Sequence, residues 1–403
     1  MSPSEHTRAA RRAFVLVIDA CGVGATADAA AYGDEGTNTL GHLARALGGL
    51  RLPTLQALGL GSILALAGVA PSADPAIHGR LHPLGPGKDS ISGHWELMGV
   101  VGERALPTYP DGFPARLVRA LERAIGRGLI CNRPDNGLAA IEEFGAEHLR
   151  TGALIAYTSQ DSVLQLAAHV RRLAPEELYR ACAAARAVMT GEHAVGRVIA
   201  RPFTGAAGAF ERTQGRRDFA LEPPARSYLQ ELQDAGAEVH GVGKIEDLFA
   251  GVGVSVSHPA ATNARALDAV DELIGELPER GLAFANLIET DQLYGHRKDV
   301  RGFAAALEQI DARVGAMLAR LGEHDLLIVT ADHGVDMAHA GTDHTRECAP
   351  LLAVSGEMLA RSRAGARVNG ARHDGPLADV GASALCWLAG RRAAGLPGAA
   401  FIS

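Results

Sequence analysis

Cysteine and long apolar runs are scarce in this chain of 403 residues. Its five cysteines form neither CxxC pairs nor a regular framework, which argues against a disulfide scaffold and fits reduced thiols. No apolar run approaches the length that spans a membrane. With a net charge of −7, the chain also lacks the broad basic surface that nucleic acid or an anionic membrane attracts. We therefore expect a cytoplasmic protein with neither a nucleic-acid nor a membrane partner.

Lysine is rare, since only three of the 39 basic residues are lysines: Lys88, Lys244 and Lys298. Each occurs in a turn context that contains glycine or histidine. Because arginine is so common here, a lysine indicates a position that needs a compact ammonium group. The competing explanation is chance.

The N-terminal region has two arginines before the apolar run "AFVLVI", as a secretion signal would. Asp19 ends that run after six residues, which is too short for the apolar part of a signal. We therefore interpret the run as a first buried strand that follows a disordered polar tail.

Short apolar runs alternate with helical patterns along the chain. The runs "FVLVI", "FANLI" and "LLIVT" are typical of strands buried on both faces of a parallel sheet. The segments "TNTLGHLARAL", "FAAALEQIDARVGAMLARL" and "LADVGASALCWLAG" carry apolar residues at helical spacings. This alternation predicts an α/β fold whose ligand site lies beyond the carboxyl ends of the strands.

The amino-acid composition changes between about residues 105 and 220, and stretches rich in proline, glycine and arginine occur at both boundaries of this segment. Such stretches are typical of linkers between compact units. We predict a discontinuous catalytic core, residues 1–105 and 221–403, that is interrupted by an inserted domain, residues 106–220.

Polar residues follow the predicted buried strands, where a turn can direct their side chains to one point above the sheet. Three carboxylates and three imidazoles form a mixed oxygen and nitrogen set that suits Mn²⁺ or Zn²⁺. Taken singly, each has an ordinary alternative role as a helix cap or a core histidine. The six residues are Asp19, Asp291, His296, Asp332, His333 and His344.

Six ligands are too many for one catalytic metal with an open position, but they suit two. Two ions about 3.5–4 Å apart stabilise the attacking and leaving oxygens of a phosphoryl group in an in-line displacement. A serine activated by metal coordination needs no histidine base, and a nearby lysine can offset the charge of a phosphate. The spacing therefore predicts phosphoryl transfer at a two-metal site.

The segment "GKDSISGHWELMG" offers candidates for the nucleophile and the lysine. Lys88 precedes two serines, and we expect Ser90 to be the nucleophile and Ser92 to be a cap or a supporting donor. A helix that begins near "HWELMG" would place its positive end beside a phosphate on Ser90. The alternative is an ordinary turn in which Asp89 or Ser90 caps a helix.

These motifs, in this chain order, resemble those of the alkaline phosphatase superfamily. More narrowly, "GKDSISGHWELMG", "YTSQDSVLQLAAH", "VGRVIARPF" and "TADHGVDMAHAGTDHTRECAPLL" resemble the bacterial phosphopentomutase family. The likeness runs from about residue 14 to residue 390, and "GHWE" and "GTDHTRE" are its most specific parts. It implies a mostly parallel central sheet flanked by helices, with a smaller α/β cap domain inserted.

The resemblance implies interconversion of ribose 1-phosphate and ribose 5-phosphate, and of the deoxyribose pair, by a phosphorylated enzyme. It also implies two Mn²⁺ ions, with Zn²⁺ as an alternative, and a sugar bisphosphate as activator. One ion would bind Asp19, Asp332, His333 and the nucleophile Ser90, and the other Asp291, His296 and His344. Residues that match positions near the sugar phosphate are Ser159, Asp161, Arg197, Arg201, Arg212 and Lys244.

Two departures from the family pattern concern the site. Ser90 stands where many members have threonine, which keeps the hydroxyl and loses a stiffening methyl. Glu289 in "IETD" replaces an aspartate that we do not count as a ligand. The alternatives are a metal-dependent phosphatase or phosphoglycerate mutase on the same core, and an inactive sensor of sugar phosphates. The sequence leaves the oligomeric state open.

Overall fold

The computed structural model of the chain describes residues 11–159 and 161–403. The expected polar tail lies outside these residues. The chain forms two compact units, and we describe each by itself. The core unit comprises the described residues up to Ala105 together with Pro223–Ser403, and the inserted unit comprises Leu106–Glu222.

Fourteen strands and thirteen helices are numbered in chain order through the described residues. The strands are β1 Arg12–Ile18, β2 Ile77–His82, β3 Leu129–Pro134, β4 Leu154–Thr158, β5 Val163–His169, β6 Arg197–Ala206, β7 Ala209–Arg212, β8 Arg217–Ala220, β9 Val239–Val242, β10 Val256–His258, β11 Leu282–Leu287, β12 Asp325–Thr330, β13 Ala349–Ser355 and β14 Gly375–Pro376. The helices are α1 Thr39–Leu47, α2 Pro53–Leu58, α3 Leu60–Ile63, α4 Ser90–Leu97, α5 Ala115–Ile125, α6 Gly137–Thr151, α7 Pro175–Val188, α8 Tyr228–Asp234, α9 Ile245–Leu248, α10 Asn263–Glu276, α11 Val300–Arg320, α12 Gly356–Arg363 and α13 Asp379–Ala389. Among the described helices, none is both long and apolar enough to cross a lipid bilayer.

The core unit is built on an eight-stranded sheet with the order β10-β9-β11-β1-β12-β13-β2-β14. Neighbouring strands are parallel except around β13, which runs antiparallel to both β12 and β2. Every residue of β11 and β12 is buried, so helices and loops cover both faces of the sheet there. The expected α/β fold is confirmed, and the predicted strands and helical segments coincide with β1, β11, β12, α1, α11 and α13.

The three central strands β11, β1 and β12 set the position of the polar residues. They are adjacent and parallel, with Ile18 opposite Leu287 and Val17 opposite Thr330. Their carboxyl ends therefore meet at one edge of the sheet. At the opposite end, the guanidinium of Arg12 forms two hydrogen bonds, of 2.8 and 2.7 Å, with the buried carboxylate of Asp325, which ties β1 to β12.

The inserted unit has its own sheet, ordered β3-β4-β5-β6-β7, with β8 paired to β6. Apolar residues of α5 and α7 form one hydrophobic core with this sheet, which includes Leu121, Val198 and Ala200. A second core on the other face contains Ile141 of α6 together with Phe203. Because side chains alternate along a strand, Val198 and Phe203 of β6 point to opposite faces.

Candidate metal centre

A first group of possible metal ligands consists of Asp291, His296 and His344, whose ligand atoms lie within 4.8 Å of one another. The Nε2 atoms of His296 and His344 lie 3.3 and 3.4 Å from Asp291 Oδ1. Asp291 and His296 are five residues apart on one turn of π-helix, Thr290–Gly295, where the backbone N–H of His296 donates to Asp291 O. Hydrogen bonds between residues five apart bring both side chains to one face of the turn.

A second group consists of Asp19, Asp291 and His333, again with ligand atoms within 4.8 Å of one another. Asp19 follows β1, and His333 follows β12. His333 Nε2 lies 3.4 Å from Asp19 Oδ1 and 3.3 Å from Asp332 Oδ2. The structure therefore brings all six sequence-predicted ligands together, and it places Asp291 in both groups, although the family resemblance implied only one.

Three buried polar atoms of these residues have no hydrogen-bond partner: Asp291 Oδ1, Asp332 Oδ2 and His344 Nε2. An unpaired polar atom is costly in a protein interior, so its presence calls for a ligand. Carboxylate oxygens and imidazole nitrogens are the donors that Mn²⁺ and Zn²⁺ accept. The residues present therefore fit divalent metal ions.

Backbone carbonyls orient two of the histidines for this role. His296 Nδ1 lies 2.7 Å from Thr342 O, and His333 Nδ1 lies 3.1 Å from Gly334 O. A carbonyl oxygen can only accept, so each Nδ1 carries a proton, and Nε2 is the nitrogen that can bind a metal once it holds no proton. This is the arrangement in which a histidine presents Nε2 to a metal.

The charges of the centre shift the pKa values of its members in opposite directions. Burial and the nearby carboxylate of Asp332 raise the pKa of Asp19. Burial also acts to raise the pKa of Asp291, but His296 and His344 hold it well below its ordinary value. For His333, burial lowers the pKa while Asp332 and Asp19 raise it, and the net result is a pKa well above the ordinary value. These pKa shifts therefore favour a carboxylate at Asp291 and an imidazolium at His333.

Helix α4 presents Ser90 to this centre. Ser90 Oγ lies 3.1 Å from His333 Nε2 and 3.4 Å from Asp19 Oδ1. The helix begins at Ser90, four residues before the predicted start, because Asp89 caps it by accepting the backbone N–H groups of Ile91 and Ser92. Ser90 therefore lies at the positive end of the helix dipole.

Ser92 is held away from the centre, since its hydroxyl donates to Asp89 Oδ2 at 2.7 Å. The capping function that the sequence offered as an alternative belongs to Asp89. A Cβ atom on Gly93 would lie 2.5 Å from Asp332 O, so only glycine lets α4 pack against the backbone of this residue. That close approach sets the distance between Ser90 and the end of β12.

Lys88 forms an ion pair with the buried carboxylate of Asp34, with 2.9 Å between Nζ and Oδ2. The same oxygen accepts the backbone N–H of Arg346, whose Nη1 donates to Gly87 O. Asp34 and Arg346, which the sequence analysis missed, therefore hold the loop that leads into α4. Action of Lys88 on a phosphate stays a prediction.

Glu289 lies outside both groups of possible ligands. Its carboxylate accepts the backbone N–H of Asn263 at 2.9 Å, and the Asn263 side chain accepts the backbone N–H of Glu289 in return. These reciprocal hydrogen bonds attach the first residue of α10 to the segment between β11 and the π-helical turn. The role of Glu289 in the structure is thus to hold a helix.

The residues expected near the sugar phosphate fall in both units. Strand alternation places Arg197, Arg201 and Arg212 on the face of the inserted sheet that also carries Tyr157. Arg201 Nε donates to Gln165 Oε1 at 3.0 Å, and burial, together with neighbouring arginines, lowers its pKa. Arginines are therefore concentrated on this face.

The remaining candidates are two residues of the inserted unit and one lysine of the core unit. Ser159 follows β4, and its hydroxyl accepts the backbone N–H of Asp161 at 3.3 Å. The carboxylate of Asp161 lies 3.9 Å from the guanidinium of Arg197. Lys244 belongs to the core unit, where its ammonium lies 3.5 Å from Gln292 Oε1, next to the π-helical turn. Gln292 is the residue that follows Asp291, so this contact places the Lys244 ammonium close to the π-helical turn that carries Asp291.

Comparison with known proteins gives consistent matches over most of the chain. Residues 11–389 match the model of the metalloenzyme superfamily. A phosphopentomutase of Caldanaerobacter subterraneus subsp. tengcongensis is 47% identical over 86% of this chain and 88% of its own. Those of Desulfitobacterium hafniense and Symbiobacterium thermophilum are 46% and 47% identical, each over 93% of this chain and 94% of their own.

The raised pKa of His333 predicts that metal binding releases protons. Because its pKa in the metal-free fold lies well above the ordinary value, His333 is an imidazolium at neutral pH, and a metal can bind only after that proton leaves. We expect the apparent affinity for Mn²⁺ to increase with pH through the neutral range. Calorimetry in buffers of different ionisation enthalpy would measure the proton release.

The variant His82→Gln is the control, because His82 is exposed on β2 and should leave the proton release unchanged. An affinity for Mn²⁺ that is independent of pH between about 6 and 8, the range in which histidines titrate, would contradict the prediction.

Proposed function

This chain belongs to the phosphopentomutase family of the metalloenzyme superfamily, and from that premise we propose that it interconverts ribose 1-phosphate and ribose 5-phosphate, and their deoxyribose equivalents. The chain is accordingly an enzyme of the mutase type. The observation that carries the proposal is the position of Ser90 Oγ, 3.1 Å from His333 Nε2 among six potential metal ligands. A hydroxyl so placed can accept and return a phosphoryl group.

We propose that the centre holds two divalent ions, Mn²⁺ in preference and Zn²⁺ as the alternative. Bound there, the ions would neutralise phosphoryl oxygens and lower the pKa of a coordinated hydroxyl. Asp291, in reach of both groups, would link the two sites. One set of ligands would be Asp19, Ser90, Asp332 and His333, and the other Asp291, His296 and His344.

In the proposed reaction, phosphorylated Ser90 donates its phosphoryl group to the free hydroxyl of a pentose monophosphate, which forms a pentose 1,5-bisphosphate. The sugar then turns, and its other phosphate returns to Ser90. A sugar bisphosphate acts as activator by phosphorylating Ser90 at the start. In-line geometry and charge neutralisation dominate such transfers, and the positive end of the α4 dipole adds to the stabilisation of the phosphate.

We propose that the inserted unit acts as a lid that excludes water and binds the phosphate that is not being transferred. Water would otherwise take the phosphoryl group from Ser90 and make the enzyme a phosphatase. The arginines on one face of the inserted sheet support this role, because a guanidinium can grip a phosphate through two parallel hydrogen bonds. Ser159, Asp161 and Lys244 would lie near the sugar phosphate.

We further propose a cytoplasmic enzyme that acts on pentose phosphates from nucleoside catabolism. All five cysteines are unpaired in the structure, which suits a reducing compartment.

A coupled assay on ribose 1-phosphate with Mn²⁺, in which ribose 5-phosphate and free phosphate are measured together, tests the proposed function. We expect ribose 5-phosphate to form with little free phosphate. Release of phosphate without ribose 5-phosphate would identify a phosphatase instead. Turnover of a phosphoglycerate, assayed in parallel, would identify the phosphoglycerate mutase alternative.

Ser90 and Ser92 form a matched pair for testing the nucleophile. Because Ser90 faces the centre and Ser92 is bound to Asp89, we expect Ser90→Ala to abolish isomerisation, while Ser92→Ala and Ser90→Thr retain it. Mass spectrometry of enzyme incubated with a sugar bisphosphate should find the phosphate on Ser90. Phosphate on Ser92, or an active Ser90→Ala enzyme, would refute this assignment.

Arg201 tests the role of the inserted unit. Loss of its guanidinium in Arg201→Ala should raise KM for the sugar phosphate by about tenfold, the effect of losing one charged hydrogen bond. If the lid excludes water, the variant should also release more free phosphate per isomerisation. The control is Arg119→Ala, since Arg119 is exposed on α5, which packs on the opposite face of the sheet. An unchanged KM and unchanged phosphate release would make Arg201 structural.

A further inference from the structure

We propose that His94 is a positioning residue, which together with Asn286 forms a buried link between the carboxylates of Asp19 and Asp332. Neither residue is among the six potential ligands. The inference rests on the proposed function, because it assigns to His94 the orientation of two ligands of the metal that activates Ser90. Its evidence is a set of contacts inside the core unit.

His94 lies one turn after Ser90 on α4 and is fully buried. Its Nδ1 atom is 2.8 Å from Ser90 O and 3.2 Å from Asp332 Oδ2. Both neighbours of Nδ1 are oxygens that can accept a hydrogen bond, so Nδ1 carries a proton. The ring thus connects the backbone of the nucleophile directly to one carboxylate of the centre.

Asn286 lies on β11, where it interrupts an otherwise apolar strand. Its Nδ2 atom is 2.8 Å from Asp19 Oδ2 and 3.2 Å from His94 Nε2. An amide nitrogen has two protons and can donate to both partners at once. Nε2 of His94 is then an acceptor, which agrees with the proton on Nδ1. Asn286 therefore donates to His94 Nε2, and the proton on His94 Nδ1 faces Ser90 O, with Asp332 Oδ2 3.2 Å from the same nitrogen.

Each of the two carboxylates has one oxygen that is held by hydrogen bonds and one oxygen that faces the centre. Asn286 engages Asp19 Oδ2, so that Oδ1 is the oxygen that lies 3.4 Å from Ser90 Oγ. The backbone N–H groups of Ala20 and His333 engage Asp332 Oδ1, both at 3.1 Å. Asp332 Oδ2, the atom without a full hydrogen bond, then lies between His94 and the imidazole of His333. Residues in contact with metal ligands typically set metal affinity in this way.

Three substitutions of His94 separate the contributions of its two nitrogens. His94→Phe keeps a buried ring and removes the hydrogen bonds with Ser90 O and with Asn286 Nδ2. His94→Asn retains an N–H near the position of Nδ1, and His94→Gln retains an acceptor near the position of Nε2. Each isostere therefore preserves one half of the link.

His148 supplies a matched control. It is a fully buried helical histidine in the inserted unit, with Nδ1 2.6 Å from Ala153 O and Nε2 accepting the backbone N–H of His169. His148→Phe removes the same two kinds of hydrogen bond from a place outside the centre. Any loss of fold stability from an unsatisfied core should appear in both histidine sites, whereas a loss of metal affinity should appear only in His94 variants.

The experiment measures Mn²⁺ binding to the full chain by calorimetry, thermal unfolding with and without Mn²⁺, and the kinetics of isomerisation. We expect His94→Phe to bind Mn²⁺ about 10- to 100-fold more weakly than the wild type. At least one isostere should recover part of that affinity. The Mn²⁺ concentration for half-maximal activity should rise, while KM for the sugar phosphate stays unchanged, and His148→Phe should bind Mn²⁺ like the wild type.

A folded His94→Phe protein with wild-type affinity for Mn²⁺ would overturn the proposal. Equal losses in His94→Phe and His148→Phe, or no recovery by either isostere, would assign the effect to packing and overturn it as well. Failure of the proposed function is distinguishable, because a wild type that binds Mn²⁺ without isomerising ribose 1-phosphate fails the coupled assay and still permits the comparison of metal affinities. A wild type that binds no Mn²⁺ overturns both.

Discussion

Three carboxylates buried at the edge of one sheet are the constraint on which the rest of the core unit depends. Asp19, Asp291 and Asp332 are 2%, 8% and 4% exposed, and Asp19 and Asp332 lie within two residues of the ends of the adjacent parallel strands β1 and β12. Like charges so close in a protein interior cannot persist without compensation by positive charge. In the metal-free fold the imidazolium of His333 supplies part of it. The remaining negative charge therefore favours binding of a cation at this edge of the sheet.

The backbone near the carboxylates adopts two unusual conformations that direct polar groups to the centre. Ala20 adopts a left-handed conformation, with a φ angle of 62°, that is uncommon for a residue with a side chain, and its N–H then points at Asp332 Oδ1. The turn of π-helix after β11 replaces ordinary helix where Asp291 and His296 must face one point. Both features are locally unfavourable, and both occur where they direct a potential metal ligand. The fold accepts these conformations because the surrounding sheet is well packed.

The sequence predicted those parts of the site that depend on strand order and missed those that depend on tertiary contact. Asp19 and Asp332 follow apolar runs, and parallel strands end at one edge, so their convergence follows from local patterns. His94 and Asn286 are 192 residues apart, and nothing local indicates that they meet, although a lone asparagine in the apolar run "FANLI" is a signal that could have been noticed. The start of α4 was misplaced because Asp89 was one of two candidate caps, and side-chain geometry decided between them.

The cap of α4 also explains why two neighbouring serines differ in their chemistry. Asp89 uses one oxygen to accept backbone N–H groups of the first turn and the other to bind the Ser92 hydroxyl, so Ser92 is engaged before any substrate arrives. Ser90 is the first residue of the helix, and its side chain is turned away from the cap toward Asp19 and His333. Substitution of Ser90 by threonine would add only a methyl to a helix position where the hydroxyl remains available. The carboxylate of Asp89, three residues before Ser92, therefore decides between the two serines by binding the Ser92 hydroxyl.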